Sequence, residues 1–394
     1  MVRKLAFLGW ILVTVAMAQQ QPPPQMRSTL LWQSGTEGYE TFRIPGIVAT
    51  AKGTILAYGV GRRFLKDGDW SDSDILLRRS LDGGKTWEPS KKIAGNGHGV
   101  TDNPVAIAPR QKGWVHLLYQ QNYERIFYMW SKDDGRTFSH PMDITSVLED
   151  LRSQFAWTVV ALGPGHAIEL RNGRLLVPVW MAEGVQTVDG RRRHAPSGIT
   201  TLYSDNGGKS WRHGDIIAVN SEDMTNPNEM QLIQLADGTV MANIRTGDTA
   251  RQRAVAFSPD GIHHWTKPEF DPHLYDPICA AGIVRYSMRP QDDRNRILFV
   301  NPDSESLPKA HQGNSGPRQN LTLKMSENEG GTWPVKRLLH AGSSGYSDIA
   351  VAPNKTIYVL YEGNLNPAIK GNSITVLRFQ LDWIGQKDGL SKDN

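Results

Sequence analysis

Three observations predict an all-β protein, and about 355 residues at roughly 45 to 60 per blade give about six blades, a six-bladed β-propeller. First, a turn motif of the form Ser-x-Asp/Asn-x-Gly-x-Ser/Thr-aromatic recurs along the chain. It occurs as SLDGGKTW (Ser80–Trp87), SKDDGRTF (Ser131–Phe138), SDNGGKSW (Ser204–Trp211) and SENEGGTW (Ser326–Trp333), with a degenerate copy in SPDGIHHW (Ser258–Trp265). Second, each clear copy follows a strand-like run: SDILLRRS, IFYMWS, ITTLYS or NLTLKMS. Third, the 394 residues include 38 glycines and 12 tryptophans, while long helical periodicities are scarce, as in turn-rich β proteins.

The elements follow in chain order. Arg3 and Lys4 precede the apolar run LAFLGWILVTVAM, and Ala16-Met17-Ala18 fits a small-residue cleavage site. Residues 1–18 therefore read as a secretory signal peptide, since the apolar run is short for a membrane span. The expected location is secreted or periplasmic, with no stable membrane anchor. Residues 19–30, with QQQPPPQ, read as a flexible lead-in, residues 31–385 as the propeller and residues 386–394 as a solvated tail.

Within the propeller, the repeated motif is a hairpin turn. Its Asp or Asn side chain bonds nearby backbone, its glycine supplies a positive φ, and its aromatic packs beneath. The copies are spaced by 51, 73 and 122 residues, or 51, 73, 54 and 68 with the degenerate copy. Such spacings suit one turn per four-stranded blade. Further hairpins fill the gaps: IELRNGRLLVPVW, MQLIQLADGTVMANIR and IAVAPNKTIYVLYEG, each with a turn pair at the bend.

Composition limits the partners. The formal net charge is +4, and GRRRH (Gly190–His194) is the one short basic cluster, unlike the basic stripe of a nucleic-acid binder. The single cysteine, Cys279, lies in the apolar run YDPICAAGIVRYS; it forms no internal disulfide and reads as a buried structural thiol. No metal-ligand spacing and no glycine-rich dinucleotide loop is present, so the expected chemistry needs no cofactor, with a structural calcium left open.

One charge is out of place. In TFRIPGIVAT (Thr41–Thr50), Arg43 interrupts an apolar strand and Pro45 follows it closely. Together with the repeated turns, this FRIP segment resembles the exo-sialidases, whose Asp boxes the turns match; the likeness runs over nearly all of the chain after residue 18. The resemblance implies a six-bladed propeller with its active site near the axis and a sialylated glycan as substrate.

The resemblance also implies roles. Three arginines grip the substrate carboxylate in the family, and Arg43, Arg245 at the end of MQLIQLADGTVMANIR and Arg318 in GPRQNLTLKMS match them. A guanidinium fork suits a planar carboxylate. Arg285 in AGIVRYS is the lower-ranked alternative for the third. Tyr346 in GSSGYSDIAV matches the nucleophile, and Glu229 in NPNEMQLIQL the base that takes its proton. A neutral phenol avoids the repulsion that an attacking carboxylate would meet beside the substrate's own charge. The acid/base lies in DGDWSDSDILLRRS, where counting back nine residues from Arg78 gives Asp69; Asp67 and Asp72 stay as alternatives, and Asp74 is the least favoured. Glu362 in YVLYEG matches the acid that orients the first arginine, and Arg63 is placed on the glycerol or acyl side of the pocket. His166 in GPGHAIEL reads as a packing or hydrogen-bonding residue.

The implied reaction is retaining exo-α-sialidase hydrolysis through a covalent tyrosyl intermediate, by a monomer or weak oligomer. A deaminated or modified nonulosonic acid as substrate, transfer to a sugar acceptor, and a non-catalytic glycan-binding propeller are the competing readings. The aromatic segment before GPGH and the polar stretch MAEGVQTVDGRRRHAPSG leave acyl-group and linkage preference open.

Overall fold

The computed structural model describes residues 25–185, 190–307, 316–364 and 371–385. The expected signal peptide and the expected tail lie outside them. Among the described residues, no helix is long and apolar enough to cross a membrane.

Six sheets form in chain order around one axis, as the repeats predict, antiparallel except where Gly165–His166 adds a parallel strand beside Thr101–Ile107. Blade 1 comprises Thr41–Ala49, Ile55–Arg62, Ser73–Ser80 and Lys91–Ala94; blade 2 comprises Thr101–Ile107, Val115–Gln121, Arg125–Ser131 and Met142–Asp143. Blade 3 contains Val159–Leu162, Leu175–Ala182 and Ser197–Ser204, with Arg212–His213 and Ala218–Val219 outermost. Blade 4 comprises Met230–Gln234, Val240–Ile244, Gln252–Ser258 and Glu269–Tyr275; blade 5 comprises Gly282–Ser287, Arg296–Pro302, Gln319–Ser326 and Val335–Ser343. Blade 6 takes Ser347–Val351, Ile357–Gly363 and Ser373–Phe379 from the C-terminal region.

The fourth strand of blade 6 is Arg27–Trp32, antiparallel to Ser373–Phe379 with Arg27 opposite Arg378. This corrects the expected lead-in, since residues 27–30 are strand. The last blade has no C-terminal edge of its own, and the N-terminal strand pairs with the open ladder and closes the ring. Six hydrophobic clusters each join two neighbouring blades. One, for example, packs Ile47, Ile55 and Leu76 of blade 1 against Tyr358, Leu360 and Ile374 of blade 6. Every blade is thus held on both faces, and the ring leaves no unpacked sheet.

The repeated turns link the third and fourth strands of blades 1, 2, 3 and 5, with the degenerate copy in blade 4. In the first, Asp82 Oδ1 accepts the Thr86 amide at 2.9 Å, Asp82 Oδ2 accepts the Thr86 hydroxyl at 2.7 Å, and the Ser80 hydroxyl accepts the Gly84 amide at 2.7 Å. Gly83 and Gly84 have φ of 71° and 78°, which a side chain would resist. Trp211 and Trp333 are buried beneath their turns, while Trp87, Phe138 and Trp265 are half-buried. All five turns lie at the rim, away from the residues gathered at the axis.

Candidate active site

The axial site is built at the open ends of the hairpins formed by each blade's first two strands. In blade 6 the ladder pairs Ser347 with Tyr361, so Tyr346 and Glu362 face each other one step beyond; the Glu362 amide donates to the Tyr346 carbonyl at 2.9 Å. In blade 4 Met230 pairs with Ile244, and the Arg245 amide donates to the Glu229 carbonyl at 2.8 Å. Two residue pairs, each about 16 positions apart in sequence, therefore become neighbours by the period-two geometry of strands.

Blade 1 supplies Arg43 through a bulge. The ladder slips between Arg43, opposite Val60, and Gly46, opposite Tyr58. Ile44 takes φ 55°, a conformation that costs a β-branched residue. The extra residue re-aims Arg43 toward the axis. Glu362 holds the result: its Oε1 accepts Arg43 Nε at 2.8 Å and the Ile44 amide at 2.8 Å, and its Oε2 accepts the Tyr346 amide at 3.4 Å. One buried carboxylate thus satisfies the amide freed by the bulge and fixes the guanidinium.

The three arginines meet around Tyr346. The guanidinium carbons of Arg43, Arg245 and Arg318 lie 5.2, 5.8 and 5.3 Å from its ring centroid. Arg245 Nη1 donates to the Tyr346 hydroxyl at 2.6 Å and also to Glu229, while that hydroxyl donates to Glu229 Oε1. Arg318 Nη2 donates to the Ile278 carbonyl at 2.6 Å, and among the described residues no carboxylate pairs with it. Burial pushes the Tyr346 hydroxyl far above the usual phenol range; Arg245 opposes the rise, Glu229 adds to it, and Arg318 and Arg43 oppose it again. The phenol is bonded to the Glu229 carboxyl group.

Among the four aspartates of the acidic loop, Asp69 alone lines the axial pocket. It sits in a short helical turn (Leu65–Trp70) and pairs with Arg62 Nη1 at 2.8 Å, its side chain half exposed. Burial works against its charge, but Arg62 and then Arg43 outweigh it and hold the carboxyl well below the usual range. Asp67 pairs with Arg191 at 3.0 Å, Asp72 accepts the Gly99 amide at 2.5 Å, and Asp74 is buried against Tyr39 at 2.8 Å.

One expected placement differs. Arg63 does not enter the pocket; its Nη2 pairs with Asp74 at 2.6 Å and its guanidinium covers the Tyr39 ring. Consecutive residues of an extended chain point to opposite sides, so the residue facing the pocket is Arg62. Arg285, the alternative third arginine, lies at the other end of its inner strand and pairs with Glu329 at 2.8 Å. His166 is buried and bonded to Asp348 at 2.7 Å, and Cys279 is fully buried, its thiol pushed up to about 11 by burial.

Sequence reasoning missed three further pocket features. Arg62 bridges Asp69 and the buried Asp102, its Nη2 2.8 Å from Asp102 Oδ2. Asp102 had a signal: TDNP in blade 2 repeats the X-Pro bulge of FRIP, with Asn103 at φ 51° and a slip between Asp102 and Val105. Asp102 thus occupies the blade-2 position corresponding to Arg43. Beside Asp69, Tyr123, Trp180 and His194 form an aromatic wall against Trp70, with Tyr123 and His194 ring centroids 4.4 Å apart. The His194 Nε2 is buried without a hydrogen-bond partner, and burial pushes that imidazole below its ordinary pKa.

The comparisons bear on the family and the fold. The model of the BNR repeat-like domain matches residues 66–359. A sialidase of Micromonospora viridifaciens is 27% identical over 89% of this chain and 53% of its own length. A sialidase of Bacteroides fragilis is 29% identical over 84% of this chain and 62% of its own. The chain therefore spans little more than half to three fifths of these relatives. Among solved structures, a Hadza microbial sialidase superposes with a TM-score of 0.73 at 24% identity, over 90% of this chain and 69% of that one. Trypanosoma rangeli sialidase gives 0.69 at 16% identity, over 91% and 60%; at these identities the likeness speaks for the fold. Its relatives aligned over more than four fifths of the chain are sialidases, and with a family model matching most of its length the chain belongs to the family of BNR repeat-like domain proteins.

Proposed function

We propose that the chain is a retaining exo-α-sialidase, a glycoside hydrolase that removes terminal sialic acid from glycoconjugates. The observation that carries this reading is a neutral tyrosine bonded to a buried glutamate and ringed by three guanidinium groups. Such a ring suits a ligand whose carboxylate lies next to the reacting carbon. In this reading Arg43, Arg245 and Arg318 bind that carboxylate. The Tyr346 oxygen attacks the anomeric carbon as its proton passes to Glu229, and Asp69 protonates the departing glycosidic oxygen. Water then attacks the tyrosyl-linked sugar; Asp69 takes the water's proton, and the phenolate recovers its own from Glu229. Two displacements at one carbon retain configuration.

Asp69 is bonded to Arg62 in the free protein, so that pair must loosen as the leaving oxygen arrives. Substrate binding favours this step, because its carboxylate neutralises Arg43, which together with Arg62 holds the Asp69 proton off. The half-exposed position of Asp69 admits the water of the second step. The reading includes export directed by residues 1–18 and action as a monomer or weak oligomer.

The test is hydrolysis of a fluorogenic α-sialoside by the full chain, with NMR of the first-formed product. Initial release of the α-anomer is expected. Initial β-anomer, or full activity in Arg43→Ala, overturns the mechanism. Saturable sialoglycan binding with no release replaces it with a glycan-binding propeller.

A further inference from the structure

The inner strands that carry the candidate active site at one end open at the other end onto a second cavity of about 300 Å³, within the size range of small-molecule sites. Its walls are apolar, from Ile107, Leu232, Ile233, Ile283 and Val284, and its polar lining includes Arg110, Arg171, Arg285 and His166. None of these side chains takes part in the proposed hydrolysis.

Two of its charges are already compensated. Arg110 pairs with Glu169 at 2.9 Å, and Arg285 with Glu329 at 2.8 Å. Arg171 differs: its Nη2 donates to the Leu235 carbonyl at 3.1 Å and its Nη1 meets the Met288 sulfur at 3.2 Å. Among the described residues no carboxylate pairs with it, and a thioether is a weak acceptor. Arg285 Nη2 donates to the adjacent Gln234 carbonyl at 3.2 Å, which brings the two guanidinium groups to one stretch of the rim. His166 is 7% exposed. Its Nδ1 bonds Asp348 at 2.7 Å, and its Nε2 has no hydrogen-bond partner among the described residues. The two ring nitrogens point apart, so the bond to Asp348 on one side leaves Nε2 for the cavity that His166 lines.

An exposed rim guanidinium without a carboxylate partner, apolar walls and an unpartnered imidazole nitrogen open to the cavity together describe a ligand. We propose that this cavity is a second binding site, for a small carboxylic acid with an apolar body and a polar atom at its far end. The carboxylate pairs with Arg171, the body packs on Ile168 and Val284, which also line the cavity and are half-buried, and the polar atom bonds His166 Nε2.

The probe is 3-(4-hydroxyphenyl)propionate, titrated into the full chain by calorimetry and followed by ligand-observed NMR. Saturable binding is expected, weakened about tenfold or more in Arg171→Ala, the scale of one lost charge-assisted contact, and unchanged in Arg43→Ala. The corresponding primary alcohol, which lacks the carboxylate, is expected not to compete, and His166→Gln to weaken the hydroxylated acid more than its phenyl analogue. Arg171→Ala should hydrolyse sialosides at the wild-type rate, which shows that the variant is folded. Absence of saturable binding, or binding lost in Arg43→Ala and kept in Arg171→Ala, overturns the proposal. Neither result depends on whether the chain hydrolyses sialosides.

Discussion

Replacing Glu362 tests how the first arginine is held. Its side chain is 1% exposed, that of Arg43 is 18% exposed, and the same Glu362 oxygen accepts both Arg43 Nε and the Ile44 amide at 2.8 Å. Glu362→Ala leaves a largely buried cation and a strained amide unpaired; breaking such a pair costs about 3–5 kcal/mol. Glu362→Gln keeps an oxygen for both donors and removes the charge. Hydrogen bonds to charged groups are worth roughly 1.5–3 kcal/mol against about 1 for neutral ones, so the two contacts together lose roughly 2 kcal/mol. In a chain of this size that lowers Tm by about 4 °C. If the same loss frees Arg43 to leave its binding position, kcat/KM falls by about tenfold to thirtyfold. Calorimetric unfolding and fluorogenic sialoside kinetics measure the two effects on one preparation. A Glu362→Gln protein whose Tm stays within about 1 °C and whose kcat/KM stays within about twofold would refute the claim that this carboxylate positions Arg43.

The remaining predictions follow from the same geometry. Tyr346→Phe removes the phenol oxygen and should lower kcat by about 10³-fold or more, with unfolding temperature nearly unchanged; turnover close to wild type rules out Tyr346 as nucleophile. Asp69→Asn should cost about 10²- to 10⁴-fold, the range of general acid–base catalysis, while Asp67→Asn, which breaks only a pair with Arg191, costs far less; the reverse order moves the acid/base. Arg62 and Arg43 hold the free Asp69 carboxyl low against its burial, and a carboxylate bound at Arg43 relieves that arginine's share. The alkaline limb of kcat should therefore lie at higher pH than that of kcat/KM when bond cleavage limits turnover, and coincident limbs in pH–rate profiles contradict the coupling. His166 is raised in the fold because Asp348 outweighs burial; its stabilisation is complete below the unfolded value of about 6.5 and is lost as pH rises through the folded value. Urea midpoints above about pH 6 should fall in the wild type and flatten in His166→Gln, and parallel curves discount the pair.

What the sequence made legible was local or repeated. The turn motifs carry their own hydrogen bonds within seven residues, so Ser80–Trp87 and its copies read directly as hairpin bends. Arg43 was legible as an anomaly, a charge amid apolar neighbours. The bulge at Ile44 that turns it inward depends on pairing with the neighbouring strand and was not. Arg62 and Arg63 are equivalent as sequence, and only the strand's final orientation separates the one facing Asp69 from the one facing Asp74. The closing strand Arg27–Trp32 is hidden for another reason. Its partner lies about 350 residues away, and nothing near it shows that blade 6 lacks an edge. The wall of Tyr123, Trp180 and His194 likewise joins three distant segments at one pocket.

The charge arrangement gives the axis its chemical character. Burying arginines without partners is costly, and the fold compensates most of those it gathers here. Arg43 has Glu362, Arg245 has Glu229, Arg62 has Asp69 and Asp102, and the fully buried Arg253 has Asp276 at 3.4 Å. Arg318 has a carbonyl and, among the described residues, no carboxylate, though it stands as close to Tyr346 as Arg43 does. Among the described residues, the three guanidinium groups around Tyr346 therefore have two carboxylates, Glu362 and Glu229, paired with them. An arriving carboxylate supplies a third without displacing Glu362 or Glu229. The base stays on the phenol and the first arginine stays fixed, while the balance that keeps Asp69 ionised shifts toward its protonated form. Substrate binding and arming of the acid are then one electrostatic event. Arg318→Ala should accordingly raise KM and also reduce the separation between the alkaline limbs of kcat and kcat/KM; a rise in KM with that separation intact would mean that Arg318 only binds.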